Sequence, residues 1–222
     1  MAAEPDTRLD LFADGYAQPR WETLGPGAVL LRSFASSRAG ALLAGLAEVI
    51  QRSPFRHMTT PGGYRMSVAM TNCGAVGWVT DGSGYRYDAL DPLGAARWPQ
   101  LPPVFRELAV QAAGAAGFDE FEPDACLINR YEPGARLSLH QDKDERDLSS
   151  PIVSVSLGLP AVFLFGAHRR ADRPRRVPLA HGDVVVWGGP ARLRFHGVQA
   201  LKEGRHPELG ACRVNLSFRK AR

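Results

Sequence analysis

Two histidines and one aspartate are spaced so that they could bind a metal ion. His140 ends the β-like run ARLSLH, Asp142 follows two residues later, and His196 lies in a later run, RLRFHGV. Side chains at positions i and i+2 of a strand point to the same side, so His140 and Asp142 can present a nitrogen and an oxygen to one point. Two histidines and a carboxylate are the ligand set of non-haem Fe(II) oxygenases, which leaves positions open for a cosubstrate and O2. The alternative is a surface His-x-Asp pair without a metal.

Two arginines follow His196 in the last β-like run, ACRVNLSFR. If Arg213 and Arg219 are buried there, each needs an anionic partner, because an unpaired charge in a core is costly. The guanidinium fork suits a carboxylate, so a dicarboxylate such as 2-oxoglutarate is one candidate partner. A structural ion pair with a core carboxylate is the other.

The remaining histidines are predicted to have no role in metal binding. They lack a partner at ligand spacing and are interpreted as surface or core-capping groups; they are His57, His168, His181 and His206. His181 and Asp183 repeat the His-x-Asp spacing, but they precede a continuous apolar run, so Asp183 is interpreted as a turn residue.

The pattern of elements predicts one domain with a β-rich second half. We expect helices over 36–52 and 103–116, a strand over 64–71, and a tight turn at 81–84. From Ala125 onward, short β runs alternate with turns, as in an antiparallel sandwich or barrel. The predicted layout is a disordered tail over residues 1–8 and a single domain over 9–222, with helices and hairpins in 9–124 and a β core in 125–222.

Composition sets limits on the class of protein. The chain has 222 residues, of which 45% are hydrophobic and 23% charged, and this balance suits one globular domain. The net charge of +4 permits a polyanionic partner without requiring one. The three cysteines form no CxxC pair, which argues against a zinc site and for a reducing compartment. We find neither a signal peptide nor a membrane span, and we expect a cytoplasmic monomer without membrane contact.

Long blocks of the sequence carry a more specific resemblance. They include TPGGY, MSVAMTNCG, EPDACLINRY, LSLHQDKDE, PIVSVSLGLPA, HGDVVVWGG, RLRFHG and CRVNLSFR. In these blocks the chain resembles the AlkB family of alkylation-repair dioxygenases from about Leu9 to Arg219. The resemblance implies a mainly β fold with flanking helices (α+β): a double-stranded β-helix (jelly-roll) core with an N-terminal nucleotide-recognition lid.

The resemblance also implies a role for individual residues. His140, Asp142 and His196 would bind Fe(II). Arg213, Asn129 and Tyr131 would bind the distal carboxylate of 2-oxoglutarate, and Arg219 and Asn215 the end that chelates the metal. Trp78 would stack on an extruded base, and Asp144 would face its exocyclic amine. The nucleotide groove would be lined by Tyr85, Tyr87, Thr60, Met70 and Arg170.

The implied reaction is oxidative demethylation of N1-methyladenine and N3-methylcytosine, which releases formaldehyde and succinate and consumes O2. The implied partner is alkylated single- or double-stranded DNA, with RNA as a further candidate. These bases are cationic, so an indole and a carboxylate favour them over undamaged bases. Two alternatives remain: the same iron chemistry on a protein or small molecule, and a non-catalytic nucleic-acid-binding module. The arginine-rich run 168–176 is either a phosphate-binding lid or a solvated loop.

Overall fold

The computed structural model describes residues 21–222, so the predicted tail at residues 1–8 lies outside the described residues. The two helices are α1 (Ala39–Arg52) and α2 (Pro103–Ala115), and short 3-10 turns occur at Ser36–Arg38 and Gly189–Ala191. The strands are β1 (Trp21–Gly25), β2 (Ala28–Leu31), β3 (Ala69–Gly74), β4 (Gly77–Asp81), β5 (Gly84–Asp88), β6 (Ala125–Tyr131), β7 (Leu137–His140), β8 (Ile152–Gly158), β9 (Ala161–Phe165), β10 (Arg175–Leu179), β11 (Val184–Trp187), β12 (His196–Val198) and β13 (Arg213–Arg219).

Two antiparallel sheets form the core of the protein. The larger sheet has the order β1-β2-β11-β8-β13-β6-β3, and the smaller has the order β10-β9-β12-β7. An apolar cluster with members from both sheets, including Trp187 and Phe163, fills the space between them. The predicted mainly β jelly-roll architecture with flanking helices is therefore confirmed. Three strands from the first half of the chain, β1, β2 and β3, also belong to the larger sheet.

Alternation along β13 separates the apolar and polar sides of the larger sheet. Val214, Leu216 and Phe218 belong to the cluster that also contains buried residues of α1 and α2. Since successive side chains of a strand point to opposite faces, the odd-numbered residues face the smaller sheet. Those residues are Arg213, Asn215, Ser217 and Arg219, all buried. The strand therefore lines the interior of the sandwich with polar groups, which need partners there.

Both helices end or begin at a proline signal in the sequence. Helix α1 buries Leu42, Leu46 and Val49 on one side and ends at Arg52. The next residue, Ser53, has φ −136° and ψ 88°, as expected before a proline, which disfavours the helical region for its predecessor. Helix α2 begins with a proline at its first position, where the missing N–H costs nothing.

Some local expectations differ from the structure. The strand predicted over 64–71 begins only at Ala69, because residues 60–64 form a turn in which the amide of Gly63 donates to the carbonyl oxygen of Thr60. In the run RLRFHGV only His196–Val198 is a strand. The tight turn at 81–84 joins β4 and β5 as predicted.

Asp183 is a turn residue, as predicted. Its buried carboxylate accepts hydrogen bonds from the backbone amides of Ser33 and Ala180 and from Arg32. Within residues 21–222, neither helix has the length and apolar character needed to cross a membrane.

Candidate active site

Strand register brings the two candidate histidine ligands together. β7 and β12 are antiparallel neighbours, and His196 pairs directly with His140. Their ring centroids are 4.5 Å apart. Asp142 lies just beyond the end of β7, with Oδ1 3.5 Å from Nε2 of His140 and Oδ2 3.7 Å from Nε2 of His196. One ligand atom from each of the three residues lies within 4.8 Å of the others, which suits a single metal ion.

Hydrogen bonds to the opposite ring nitrogens prepare both histidines for a metal. Nδ1 of His140 lies 2.8 Å from the carbonyl oxygen of Ser138, and Nδ1 of His196 lies 3.1 Å from that of Arg194. A carbonyl can only accept, so each Nδ1 carries the proton and each Nε2 keeps its lone pair. Such a second hydrogen bond fixes the tautomer and ring orientation of metal-binding histidines.

A second group of possible ligands is present, contrary to expectation. His181, His206 and Glu208 also converge within 4.8 Å, and the two imidazole rings stack at 4.5 Å. The prediction that these histidines lack neighbours at ligand distance is therefore wrong. Here, however, each Nδ1 accepts a hydrogen bond from a backbone amide: His181 from Gly158 at 3.0 Å, and His206 from Glu208 at 3.3 Å. Each Nε2 must then carry the proton of the neutral ring, so this group does not offer two free nitrogens to a metal.

A buried network of charges surrounds the carboxylate of Asp142. Nε and Nη2 of Arg219 donate to its Oδ2 at 2.9 and 2.5 Å. Arg219 also lies 3.2 Å from Glu145, which in turn pairs with Arg192 at 3.1 Å. Burial acts to raise the pKa of Asp142, but Arg219 and His196 outweigh it and hold that pKa well below its usual range. Burial likewise acts to lower the pKa of Arg219, and the negative charge of Asp142 keeps it above its ordinary value. The site therefore holds an ionised carboxylate.

The environment also keeps His140 neutral. Its side chain is 39% exposed because it faces an open pocket, yet protein surrounds its other sides. Burial, followed by the neighbouring His196, lowers the pKa of His140 to about 4. A neutral ring is the form that binds a metal.

Arg213 offers unused hydrogen-bond donors in a buried position. Its side chain is 1% exposed, and its Nη2 donates to Oγ of Ser156 at 2.9 Å. Its Nε and Nη1 have no partner within residues 21–222, and neither has Oδ1 of Asn129. The guanidinium also lies over the ring of Tyr131, at 5.0 Å from its centroid. A buried cation with two donor nitrogens still available fits the carboxylate of 2-oxoglutarate. Among residues 21–222 Arg213 forms no ion pair with a carboxylate, whereas Arg219 pairs with Asp142 and Glu145.

A pocket of about 900 Å³ opens beside His140 and Asp142. All seven predicted substrate-binding residues line it, and they are Thr60, Met70, Trp78, Tyr85, Tyr87, Asp144 and Arg170. The rings of Trp78 and Tyr85 stack at 5.7 Å with an interplanar angle of 19°. Nε1 of Trp78 donates to Oδ2 of Asp144 at 2.8 Å. The hydroxyl of Tyr87 donates to Glu145 at 2.7 Å, which connects the β4–β5 hairpin to the charge network.

The predicted cofactor-binding residues divide into two groups. Asn129 and Arg219 line the pocket, whereas Tyr131, Arg213 and Asn215 are buried and do not line it. The polar atoms of Asn215 are already bonded to Ser154, Val155 and Ser217. In this structure Asn215 therefore ties adjacent strands together.

Three residues of the site were missed from the sequence. They are Gln141, Glu145 and Arg192; Gln141 and Glu145 lie in the block LSLHQDKDE, and Gln141 directly follows His140. An acidic residue so close to a ligand aspartate could have suggested Glu145. Nothing in the sequence marks Arg192, because its role depends on contacts across the fold.

Comparisons with known proteins agree with this geometry. The family model of the 2OG-Fe(II) oxygenase superfamily matches residues 27–219. The chain is 61% identical to the Alpha-ketoglutarate-dependent dioxygenase AlkB of Salmonella typhimurium and 59% identical to that of Escherichia coli; each match covers 96% of this chain and 98% of the relative. The solved structure of OsALKBH1 superposes with a TM-score of 0.78 at 31% identity, over 90% of this chain and 100% of that one. The chain therefore belongs to the AlkB family of the 2OG-Fe(II) oxygenase superfamily.

Proposed function

We propose that the protein removes methyl groups oxidatively from alkylated nucleic-acid bases, N1-methyladenine and N3-methylcytosine, and releases formaldehyde and succinate. Family membership brings Fe(II), 2-oxoglutarate and O2 to the site. The observation that carries the proposal is the hydrogen bond between Trp78 and Asp144, which places an indole and a carboxylate together on the wall of the pocket that opens on His140 and Asp142.

The metal and cosubstrate assignments follow from the donor atoms. His140, Asp142 and His196 would hold Fe(II), through two Nε2 atoms and one carboxylate. Arg213 would hold the distal carboxylate of 2-oxoglutarate through its unused Nε and Nη1, with Asn129 and Tyr131 beside it. Arg219 would hold the end nearer the metal, because it already contacts Asp142. When bound, iron and 2-oxoglutarate supply the activation of O2 that oxidises an N-methyl carbon.

The pocket wall would select a cationic base. Methylation at N1 of adenine or N3 of cytosine fixes a positive charge on the ring. The face of Trp78 attracts a cation, and the carboxylate of Asp144 lies beside it. The same methylation blocks base pairing, so a damaged base costs less to extrude from a duplex than an intact one. The nucleotide groove would be completed by five further residues that line the pocket, Tyr85, Tyr87, Thr60, Met70 and Arg170.

The first test is a single-turnover assay on a short oligonucleotide that carries one N1-methyladenine. The protein is loaded without air with Fe(II) and 2-oxoglutarate, exposed to O2, and the oligonucleotide is read by mass spectrometry. We expect loss of one methyl group that requires both additions and disappears in His140→Ala. The matched control is His206→Ala, which removes a histidine of the second group, outside the pocket.

The other outcomes separate the alternatives. Succinate without loss of the methyl group would mean the same chemistry on another substrate. No succinate from iron-loaded protein would favour a non-catalytic nucleic-acid-binding module. Parallel reactions with single-stranded DNA, duplex DNA and RNA that carry the same lesion rank the three polymers.

A further inference from the structure

Two hydrogen bonds run in opposite directions between the segments that carry the metal ligands. Nη1 of Arg192 donates to the backbone carbonyl oxygen of Asp142 at 2.7 Å. Nε2 of Gln141 donates to the backbone carbonyl oxygen of Leu193 at 2.5 Å. Arg192 and Leu193 shortly precede His196, so the two bonds link the segment of the second histidine to the segment of Asp142.

The other nitrogens of Arg192 contact further residues of the segment that follows Asp142. Nε donates to the carbonyl oxygen of Ser150 at 3.0 Å, and Nη2 pairs with Glu145 at 3.1 Å. The side chains of Arg192 and Glu145 are only 3% and 2% exposed, so these contacts are made away from water. One guanidinium thus contacts both ends and the middle of residues 142–150.

The segment 141–151 depends on side-chain contacts for its position because it forms no backbone hydrogen-bond ladder with a neighbouring strand. Residues 141–151 form neither helix nor strand, yet they carry Asp142 and Asp144. The carboxylate of Asp142 is held from its other side by Arg219. Without a second contact on its backbone, the ligand oxygen would be free to follow Arg219 away from the histidines.

We propose that Arg192 is a positioning residue that sets the distance of Asp142 from His196 and so prepares the site for the metal. It acts through the hydrogen bond to the backbone carbonyl of Asp142. Its partner Glu145 also accepts a hydrogen bond from Tyr87, which connects Arg192 to the β4–β5 hairpin. This proposal rests on the metal-ligand assignment of the proposed function. Residues that orient metal ligands in this way typically affect metal affinity by about 10- to 100-fold.

The test is a calorimetric titration of the metal-free protein with Mn(II), which requires no turnover. Arg192→Lys keeps the positive charge beside Glu145 but loses the planar fork. We expect Mn(II) to bind at least about tenfold more weakly to this variant than to the wild type. The matched control is Arg56→Lys, since Arg56 is partly buried and, like Arg192, is paired with a carboxylate, Asp91. We expect its Mn(II) affinity to change less than about twofold, a change too small to reflect a lost ligand contact.

A merely structural role makes a different prediction. If Arg192→Lys lowers the unfolding temperature but binds Mn(II) as the wild type does, the proposal is overturned. If this variant does not fold, the same titration of Arg192→Gln decides, because glutamine also removes the guanidinium that holds the carbonyl of Asp142: weaker binding supports the proposal and unchanged binding overturns it. If the wild type itself does not bind Mn(II), the ligand assignment fails, and that result is distinct from the failure of Arg192 alone.

Discussion

Nε1 of Trp78 donates a hydrogen bond of 2.8 Å to Oδ2 of Asp144, so the aromatic and the anionic parts of the pocket wall are connected. Trp78 lies on β4, whereas Asp144 lies in the segment after β7 that also carries Asp142. The bond thus ties the β4–β5 hairpin to the metal-ligand segment. A change at either residue alters both the shape and the charge that a base meets.

Asp144→Asn should reduce the selectivity for cationic bases. The amide oxygen can still accept the hydrogen bond from Trp78, but the negative charge is lost. Because Asp144 is exposed, the effect of its charge is modest, and we expect kcat/KM for N3-methylcytosine to fall by about five- to tenfold. The neutral base N1-methylguanine should be affected much less. The control is Asp147→Asn, which removes a carboxylate that bonds to Ser149 and Ser150 within the described residues. Equal losses for both bases in Asp144→Asn would refute the charge argument.

Trp78→Ala should weaken substrate binding more than Trp78→Phe. The alanine variant removes the stacking surface, which is worth about 1–3 kcal/mol per base. The phenylalanine variant keeps a ring beside Tyr85 but loses the donor to Asp144. We expect KM for a methylated oligonucleotide to rise about tenfold or more in Trp78→Ala and less in Trp78→Phe. Trp21→Ala, at an exposed tryptophan on β1, is the control; similar KM values for the two Trp78 variants would show that stacking is not what this residue provides.

Arg213→Met and Arg192→Met should change stability in opposite directions. Arg213 is buried with two unpartnered donors, so its replacement by an apolar chain of similar length should stabilise the metal- and cosubstrate-free protein by about 1 kcal/mol. Arg192 donates hydrogen bonds from Nε and Nη1 and forms an ion pair with Glu145 through Nη2. Its loss leaves Glu145 with one less partner, which should cost about 3–5 kcal/mol. Urea unfolding measures both effects.

The same experiment identifies the role of Arg213. With Mn(II) already saturating in both proteins, added 2-oxoglutarate should raise the unfolding midpoint of the wild type further but not that of Arg213→Met. If Arg213→Met is destabilised in the absence of ligand, Arg213 is a structural residue, and the assignment of the distal carboxylate to it is wrong.

His181→Asn should make stability less dependent on pH below 6.5. Burial, followed by the nearby His206, lowers the pKa of His181 from 6.5, while Glu208 acts in the opposite direction. The unfolded chain therefore takes up the proton first as the pH falls, so the wild type loses stability from pH 6.5 down to the folded-state pKa. The asparagine side chain of this variant would keep an acceptor near the amide of Gly158 without titrating. Urea midpoints at pH 7.5 and 5.5 compare the two proteins, and an equal loss in both would show that His181 does not contribute.

The sequence by itself indicated the candidate site residues and most of the elements that hold them. The spacing of His140 and Asp142 requires only that a strand present alternate residues to one side, and that rule is local. The alternation in the last strand likewise placed Arg213 and Arg219 on one face. Prolines marked the end of α1 and the start of α2, and glycines marked the turn between β4 and β5, because these residues act through their own backbone.

Only the tertiary structure decided how these parts meet. His196 lies opposite His140 because β12 pairs with β7 in one register, and nothing near either residue in the sequence fixes that register. The convergence of His181 with His206 and the unused donors of Arg213 are also properties of packing between distant strands. The role of Arg192 also depends on tertiary structure, since its partners are two backbone carbonyls and a buried carboxylate, which leave no spacing pattern in the sequence. Local conformation follows from neighbouring residues, whereas pairing across the fold depends on which surfaces can be buried together, and that is settled only when the whole chain has folded.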